Sequence, residues 1–417
     1  MEDVSAIAEA EQFQSVEDMY PLSPMQKGML FHTLYSPSSG VYFEQQTTVI
    51  RGGLNIPAFE QAWQQALDRH PVLRSVIDWE DLDEPLQVVL RGVQVPLIQY
   101  DWRGSSEADQ NRRLSEFLNA DQERGFDLSQ PPLMRLILIR ISDDAYYFVW
   151  SSHHILLDGW STALLLQEIF ALYDAACQGR QPNLGRSRPF RDYVAWLLQQ
   201  DLTQAEAFWR ETLAGYSSPI PLGPIRPVGG SSQQGFLEVE TRLSEKVTEE
   251  LQAFARQQQV TLNTLVQGAW ALLLNRHSGR EDVVFGVTVS GRPPDLAGVE
   301  SIIGLFINTL PLRVRMAPGD SLGPWLKGLQ QLQAKMSQFE YSPLVEVHKW
   351  SDVPGGLPLF ETILVFENYP VDKSMQDSGQ GHGLGIRNVK SVEKTNYPLD
   401  VTALPGLEFV LRIAWDG

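Results

Sequence analysis

Apolar positions along the 417-residue chain follow two rhythms, one of strands and one of helices. Residues 1–19 are polar and read as a lead-in. The sequence Tyr20-Pro21-Leu22-Ser23-Pro24 then introduces a helix through Ser23 and Pro24. From Tyr42 to Ile50 the run YFEQQTTVI is rich in β-branched and aromatic residues and predicts a strand. Behind an Asn55 cap, Ile56, Phe59, Trp63, Ala66 and Leu67 recur at helical spacing, so a helix with one buried face runs to about His70. Strand patterns follow near 73–79, 133–141 and 145–151, with a polar helix near 106–120 and a helix opened by Ser161 to about Gln178. The Gly/Pro-rich stretch 179–189 predicts a loop and marks a lobe boundary. Beyond it come a helical stretch at 190–215, a connector at 217–235, strands near 236–243, 282–290 and 308–314, and helices near 244–258, 262–277 and 322–338. Three strands close the chain near 362–367, 399–403 and 407–415. The pattern predicts an α/β (α+β) fold of two similar lobes, 20–180 and 181–417.

Charge narrows the function. With 33 Lys+Arg against 51 Asp+Glu the formal net charge is −18, which opposes a polyphosphate, and no basic block offsets it; nucleic acid is not an expected partner. The single cysteine, Cys177, excludes internal disulfides and thiolate zinc clusters. No run approaches the roughly 18 apolar residues of a membrane span, so a cytoplasmic location without a membrane partner is expected.

The strongest candidate chemistry is His153-His154-Ile155-Leu156-Leu157-Asp158-Gly159-Trp160, between the strand AYYFVW and an amphipathic helix. Two adjacent histidines at a strand end do not both face one core, so one is expected in a crevice, where an imidazole handles protons near neutral pH. Asp158 is close enough to orient the loop or pair with a distant arginine, and Gly159 leaves room for close approach. The same residues also fit a purely structural strand end, and spacing alone leaves both readings open. No G-x-S-x-G elbow is present, and the histidine pair lacks the i, i+4 spacing of a helical metal site, so no metal is expected. Gly379, Gly381, Gly383 and Gly385 match no phosphate-binding pattern and read as a mobile loop.

With its surroundings, this motif resembles that of the condensation domains of nonribosomal peptide synthetases. His153-His154-x-x-x-Asp158-Gly159 is similar to their signature, and Leu22-Ser23-Pro24-Met25-Gln26-Lys27-Gly28-Met29-Leu30 to their first motif. Arg69-His70-Pro71-Val72-Leu73-Arg74 resembles the second, with Pro71 in place of an acid. Asp192-Tyr193-Val194-Ala195-Trp196 and the segment Ile303 to Arg313 resemble the fourth and fifth, and Asn396-Tyr397-Pro398-Leu399 a later one. Two departures stand out: Phe339-Glu340-Tyr341-Ser342-Pro343 replaces a Gln-Asp pair before proline, and the seventh motif is reduced to Ser351-Asp352…Leu357-Pro358. These bear on subtype more than on reaction. The family usually continues into a terminal helix, so a trimmed module of a longer synthetase is expected.

The resemblance implies two chloramphenicol-acetyltransferase-like lobes in a V-shaped, monomeric pseudo-dimer with a central tunnel. It implies an amide-forming acyltransferase with His154 as its catalytic residue. Substrates would arrive on the 4′-phosphopantetheine arms of upstream donor and downstream acceptor peptidyl carrier proteins, with an adenylation domain adjacent and no cofactor bound covalently to this domain. It assigns Asp158 an ion pair with an arginine of the other lobe, for which Arg292 is the candidate. His153 and Gly159 then shape the loop, and Trp160, Ser290 and Asn308 are candidate tunnel residues. An ester-forming or epimerization-type relative, or a non-catalytic recruitment domain of the same fold, remains an alternative.

Overall fold

A computed structural model describes residues 15–37, 39–222, 236–368 and 385–416. They form two compact units. The first takes in the described residues up to Leu198, Arg292–Phe306 and the described part of Tyr369–Lys394. The second takes in Gln199–Gly291, Ile307–Asn368 and Thr395–Gly417, again for the residues described. The boundary expected at 180 lies inside the first unit, which also claims two later segments.

In the first unit β1 (Val16–Pro21), β4 (Leu86–Leu90) and β3 (Ser75–Asp78) form a small antiparallel sheet in the order β1-β4-β3. The larger sheet has the order β12-β2-β7-β6-β5, from β12 (Gly385–Val392), β2 (Phe43–Arg51), β7 (Ala145–His153), β6 (Met134–Arg140) and β5 (Leu97–Asp101). Helices α1 (Pro24–Tyr35), α2 (Ile56–Arg69), α3 (Glu107–Arg124), α4 (Gly159–Cys177) and α5 (Arg191–Leu197) complete it.

Local chemistry explains the element ends. Ser23 and Gln26 form a reciprocal capping box at the start of α1. Asn55 accepts from the Ala58 amide, and Ser106 from that of Asp109, at the starts of α2 and α3. Phe59 and Trp63 on α2 meet Phe148 and Trp150 on β7, with Trp63 and Trp150 ring centroids 5.1 Å apart and nearly edge-on. Arg74 is buried and ties three elements together, donating to Leu67 O, Leu90 O and the Glu17 carboxylate. His70 meets Glu168 at 2.9 Å. The second motif is therefore framework, and Pro71 is accommodated because it opens the short 3-10 turn Pro71–Arg74, where its missing N–H is not needed.

The second unit is built on one six-stranded sheet, β10-β9-β11-β13-β14-β8. Its strands are β8 (Phe236–Leu243), β9 (Asp282–Val289), β10 (Asn308–Arg315), β11 (Thr362–Phe366), β13 (Leu399–Leu404) and β14 (Phe409–Asp416). Helices α6 (Leu202–Leu213), α7 (Glu245–Gln258), α8 (Leu262–Ser278), α9 (Leu322–Met336) and α10 (Leu344–Trp350) belong to it. Its core gathers Trp209, Phe285, Leu310, Met336 and Phe360. Gly286 faces the Phe360 ring so closely that any Cβ would overlap it.

The glycine-rich loop expected around 379–385 falls largely outside the described residues. Gly385 corrects that expectation: it opens β12, held by antiparallel pairing with Arg51 on β2. A chain whose neighbours mostly belong to the second unit thus returns to complete the first unit's sheet.

Candidate active site

The first unit's larger sheet delivers the site by register. Phe43 on β2 lies opposite His153 on β7, and Glu44 opposite Ser152. On the other side of β2, Val392 of β12 pairs with Gln45, so the next residue, Glu393, arrives beside Glu44. The chain is fastened there by Tyr42 N donating to Lys394 O at 2.8 Å, and His154 N donates to Tyr42 O at 2.8 Å.

The two histidines, adjacent in sequence, are opposite in state. His153 Nδ1 accepts from the Ile155 amide at 3.1 Å, so Nε2 carries the proton and faces Thr33 Oγ1 at 3.1 Å. Burial, reinforced by the neighbouring His154 charge, depresses its pKa to about 3. It is a neutral structural residue. His154 is ordered the other way. Its Nδ1 meets the Leu157 carbonyl at 2.7 Å, and because that oxygen only accepts, Nδ1 carries a proton. Glu44 Oε1 approaches the same nitrogen at 2.9 Å. Nε2 is directed to Glu393 Oε1 at 3.3 Å. Burial works against an imidazolium here, yet the Glu44 charge and the Glu393 hydrogen bond and charge outweigh it, and the pKa of His154 is raised well above that of an ordinary histidine. Burial raises Glu44 as well, against the opposing pull of His154. The buried pair holds its proton more firmly than a free imidazole would.

The loop after the histidines is locked by Asp158, which is 1% exposed. It is the N-cap of α4, accepting from Ser161 N at 2.7 Å, and its other oxygen accepts from Phe306 N at 2.9 Å. Arg292 Nη2 lies 3.3 Å from Asp158 Oδ1 and 2.8 Å from Ser161 Oγ, while Nη1 donates to Val299 O and Ile302 O. The guanidinium sits 3.9 Å over the Phe306 ring. Arg292 was expected from the second lobe, but 292–306 belongs to the first unit. The physical reason is dense bonding to α4: Ser161 Oγ donates to Gly304 O and accepts from Gly304 N. Gly159 is the first residue of α4, and Trp160 donates its indole proton to Glu300 O at 3.0 Å.

Ser290 and Asn308 belong to the second unit. Asn308 Nδ2 donates to the Glu340 and Ser342 carbonyls, both at 2.8 Å. Glu340 Oε2 accepts from Gly291 N at 3.0 Å and faces Ser290 Oγ at 3.5 Å. These bonds tie the divergent Phe339–Pro343 turn to the ends of β9 and β10, so both candidate tunnel residues have framework duties.

Sequence reasoning missed Gln26, Glu44 and Glu393. Gln26 donates to Ile155 O at 3.0 Å and to Gln87 at 2.8 Å, bracing the histidine loop from α1. A signal existed for Glu44, as the one carboxylate in the strand run YFEQQTTVI. Glu44, His154 and Glu393 are close enough to share a metal ion. Each offers one ligand atom within 4.8 Å of the others, three donors where a structural zinc takes four.

The arrangement is a buried histidine with a carboxylate at each ring nitrogen, Glu44 at Nδ1 and Glu393 at Nε2. The chain belongs to the condensation-domain family, whose model matches residues 16–416. It is 47% identical over 406 residues to one of the proteins that make up the linear gramicidin synthase of Brevibacillus parabrevis, covering 97% of this chain and 5% of that protein. To another protein of the same synthase it is 46% identical over 404 residues, covering 96% and 8% respectively. The chain therefore spans less than a tenth of the length of these two relatives. Its fold matches the starter condensation domain of rhizomide synthetase, solved in complex with C8-CoA, with a TM-score of 0.79 at 24% identity, covering 95% of this chain and 89% of that one. Among the described residues, no helix is long and apolar enough to cross a membrane.

Proposed function

We propose that this domain forms amide bonds between substrates held as thioesters on the 4′-phosphopantetheine arms of two carrier proteins. The amine of the acceptor aminoacyl group attacks the carbonyl carbon of the donor acyl or peptidyl thioester. As the C–N bond forms and the C–S bond breaks, the donor chain passes to the acceptor carrier. The observation that supports this reading is the His154 ring, held at Nδ1 by the Leu157 carbonyl and Glu44 with its Nε2 turned to the Glu393 carboxylate.

The reaction asks modest help. A thioester is already activated, and a neutral amine is a good nucleophile. Orientation of the two supplies roughly 7–11 kcal/mol of barrier lowering, and a general base about 10²–10⁴-fold more. Once its Nε2 proton has passed to solvent, His154 accepts a proton from the attacking amine at that nitrogen. Asp158, Arg292 and Gln26 touch no reacting atom in this scheme and hold the loop in place.

A single-turnover assay read by intact-protein mass tests it. A donor carrier loaded with an aminoacyl thioester and an acceptor carrier loaded with glycine are mixed with the chain or its His154→Ala variant. A dipeptidyl mass on the acceptor carrier, lost in a folded His154→Ala protein, is expected. Absence of product across donors of both configurations, despite carrier binding, would point to a recruitment domain and overturn the reading.

A further inference from the structure

The second nitrogen of the His154 ring faces a carboxylate. His154 Nε2 has Glu393 Oε1 at 3.3 Å, and Glu393 is 41% exposed at its side chain against 8% for His154. Nδ1 is enclosed by Glu44 and the Leu157 carbonyl, whereas Nε2 faces Glu393, the more exposed of the two carboxylates. A general base is normally left with its accepting nitrogen unopposed; here a second acceptor lies against it. With both carboxylates ionised, the Glu44–His154–Glu393 trio holds at most one positive charge against two negative ones. The nearby Asp158 charge is answered by Arg292, and His153 is neutral. With both carboxylates ionised these three side chains by themselves sum to a net negative charge, and the most exposed of them is Glu393.

We propose that Glu393 binds the positively charged amino group of the acceptor and thereby selects amines over hydroxyl nucleophiles. This deepens the amide-forming reading and rests on it. An α-amine with a pKa near 7.7–8.0 arrives largely as ammonium. Drawn to Glu393, it sets a second positive charge beside the imidazolium, and like-charge repulsion expels the Nε2 proton to solvent. Neutral Nε2 then takes one ammonium proton, and the freed lone pair forms the C–N bond. Collapse of the tetrahedral intermediate breaks the C–S bond, and a second nitrogen proton goes to the departing thiolate. The amide keeps the third hydrogen. One proton is released per turnover, the donor arm leaves as a thiol, and nothing is oxidised or reduced. A hydroxyl acceptor brings no cation, so Glu393 gives it no advantage.

The test compares glycyl-pantetheine and glycolyl-pantetheine thioesters as acceptors, at one donor carrier, for the native chain and its Glu393→Gln and Glu393→Asp variants. Glu393→Gln is expected to lower kcat/KM for the glycyl acceptor by about 10- to 100-fold, as loss of one charge-assisted hydrogen bond does. The effect is expected mainly in KM and is expected to be clearly larger for the glycyl than for the glycolyl acceptor, with Glu393→Asp restoring part of the loss. Removing one of the carboxylates that favour the imidazolium also moves the acid limb of kcat/KM to lower pH. An NMR titration of His154 should show the same shift without any turnover. Equal losses for both acceptors, or unchanged amine selectivity with an unmoved His154 titration, would overturn the proposal. Retention of amide formation in His154→Ala would instead overturn the reading beneath it.

Discussion

Replacing Asp158 with alanine removes three acceptor contacts at once from a residue 1% exposed. The cap on α4 through Ser161 N is worth about 1 kcal/mol. Loss of the Phe306 N bond leaves a buried donor unsatisfied, at roughly 1–3 kcal/mol. The largest cost falls on Arg292, whose side chain is 7% exposed and is left as a buried charge with only neutral partners; breaking such a pair costs about 3–5 kcal/mol. These share one network and do not add, so a total of about 4–6 kcal/mol is expected for Asp158→Ala. Urea unfolding followed by tryptophan fluorescence gives the value. Asp158→Asn keeps one acceptor and should lose less. Arg292→Met removes the stranded charge, so the double variant should be less destabilised than the two single losses summed. A folded Asp158→Ala protein within about 1 kcal/mol of native stability but without turnover would refute the argument and place Asp158 in the chemistry.

Two further outcomes follow from the same unit. His153 has a folded pKa of about 3, so as pH falls from 6.5 the unfolded chain takes up a proton that the native state refuses. The stability it contributes is present above pH 6.5 and drains away toward pH 3; His153→Gln should flatten this acid limb in a series of urea midpoints, and an unchanged slope would contradict the neutral assignment. At Gly304 any Cβ would overlap the Phe190 ring, which stacks edge-on against Phe306 at 5.3 Å. Gly304→Ala should cost about 1–3 kcal/mol and lower the melting temperature, whereas native-like stability would mean the ring has room to move.

What the sequence made legible was local. Asn55, Ser106 and Ser23 announce their helices, and the runs near 42–50 and 145–151, the first rich in β-branched and aromatic residues, announce β2 and β7. The histidine loop was readable because its chemistry is contiguous. Glu393 was not, because its role depends on β12 pairing with a strand more than 330 residues earlier, and no periodicity reports a register. β1 was missed because VEDMYP carries two acids among its six residues and finds its place only through β4. The lobe boundary was misplaced for a related reason: a Gly/Pro-rich segment marks a loop, while unit membership is fixed by contacts such as those of Ser161 with Gly304. Arg292 was correctly paired with Asp158 but credited to the wrong unit.

The late arrival of β12 has a consequence for synthesis on the ribosome. Glu393 follows His154 by 239 residues. At about 5–20 residues per second, roughly 12–48 s separate their emergence. Throughout that interval β2, nine residues long, has β7 on one side and no strand yet made for the other. An uncovered edge of that length invites pairing with another nascent chain. The last strand to join the first unit's sheet is thus both its seal against aggregation and the carrier of its acidic contact to the histidine. A growing chain acquires protection and a complete charge set in the same step.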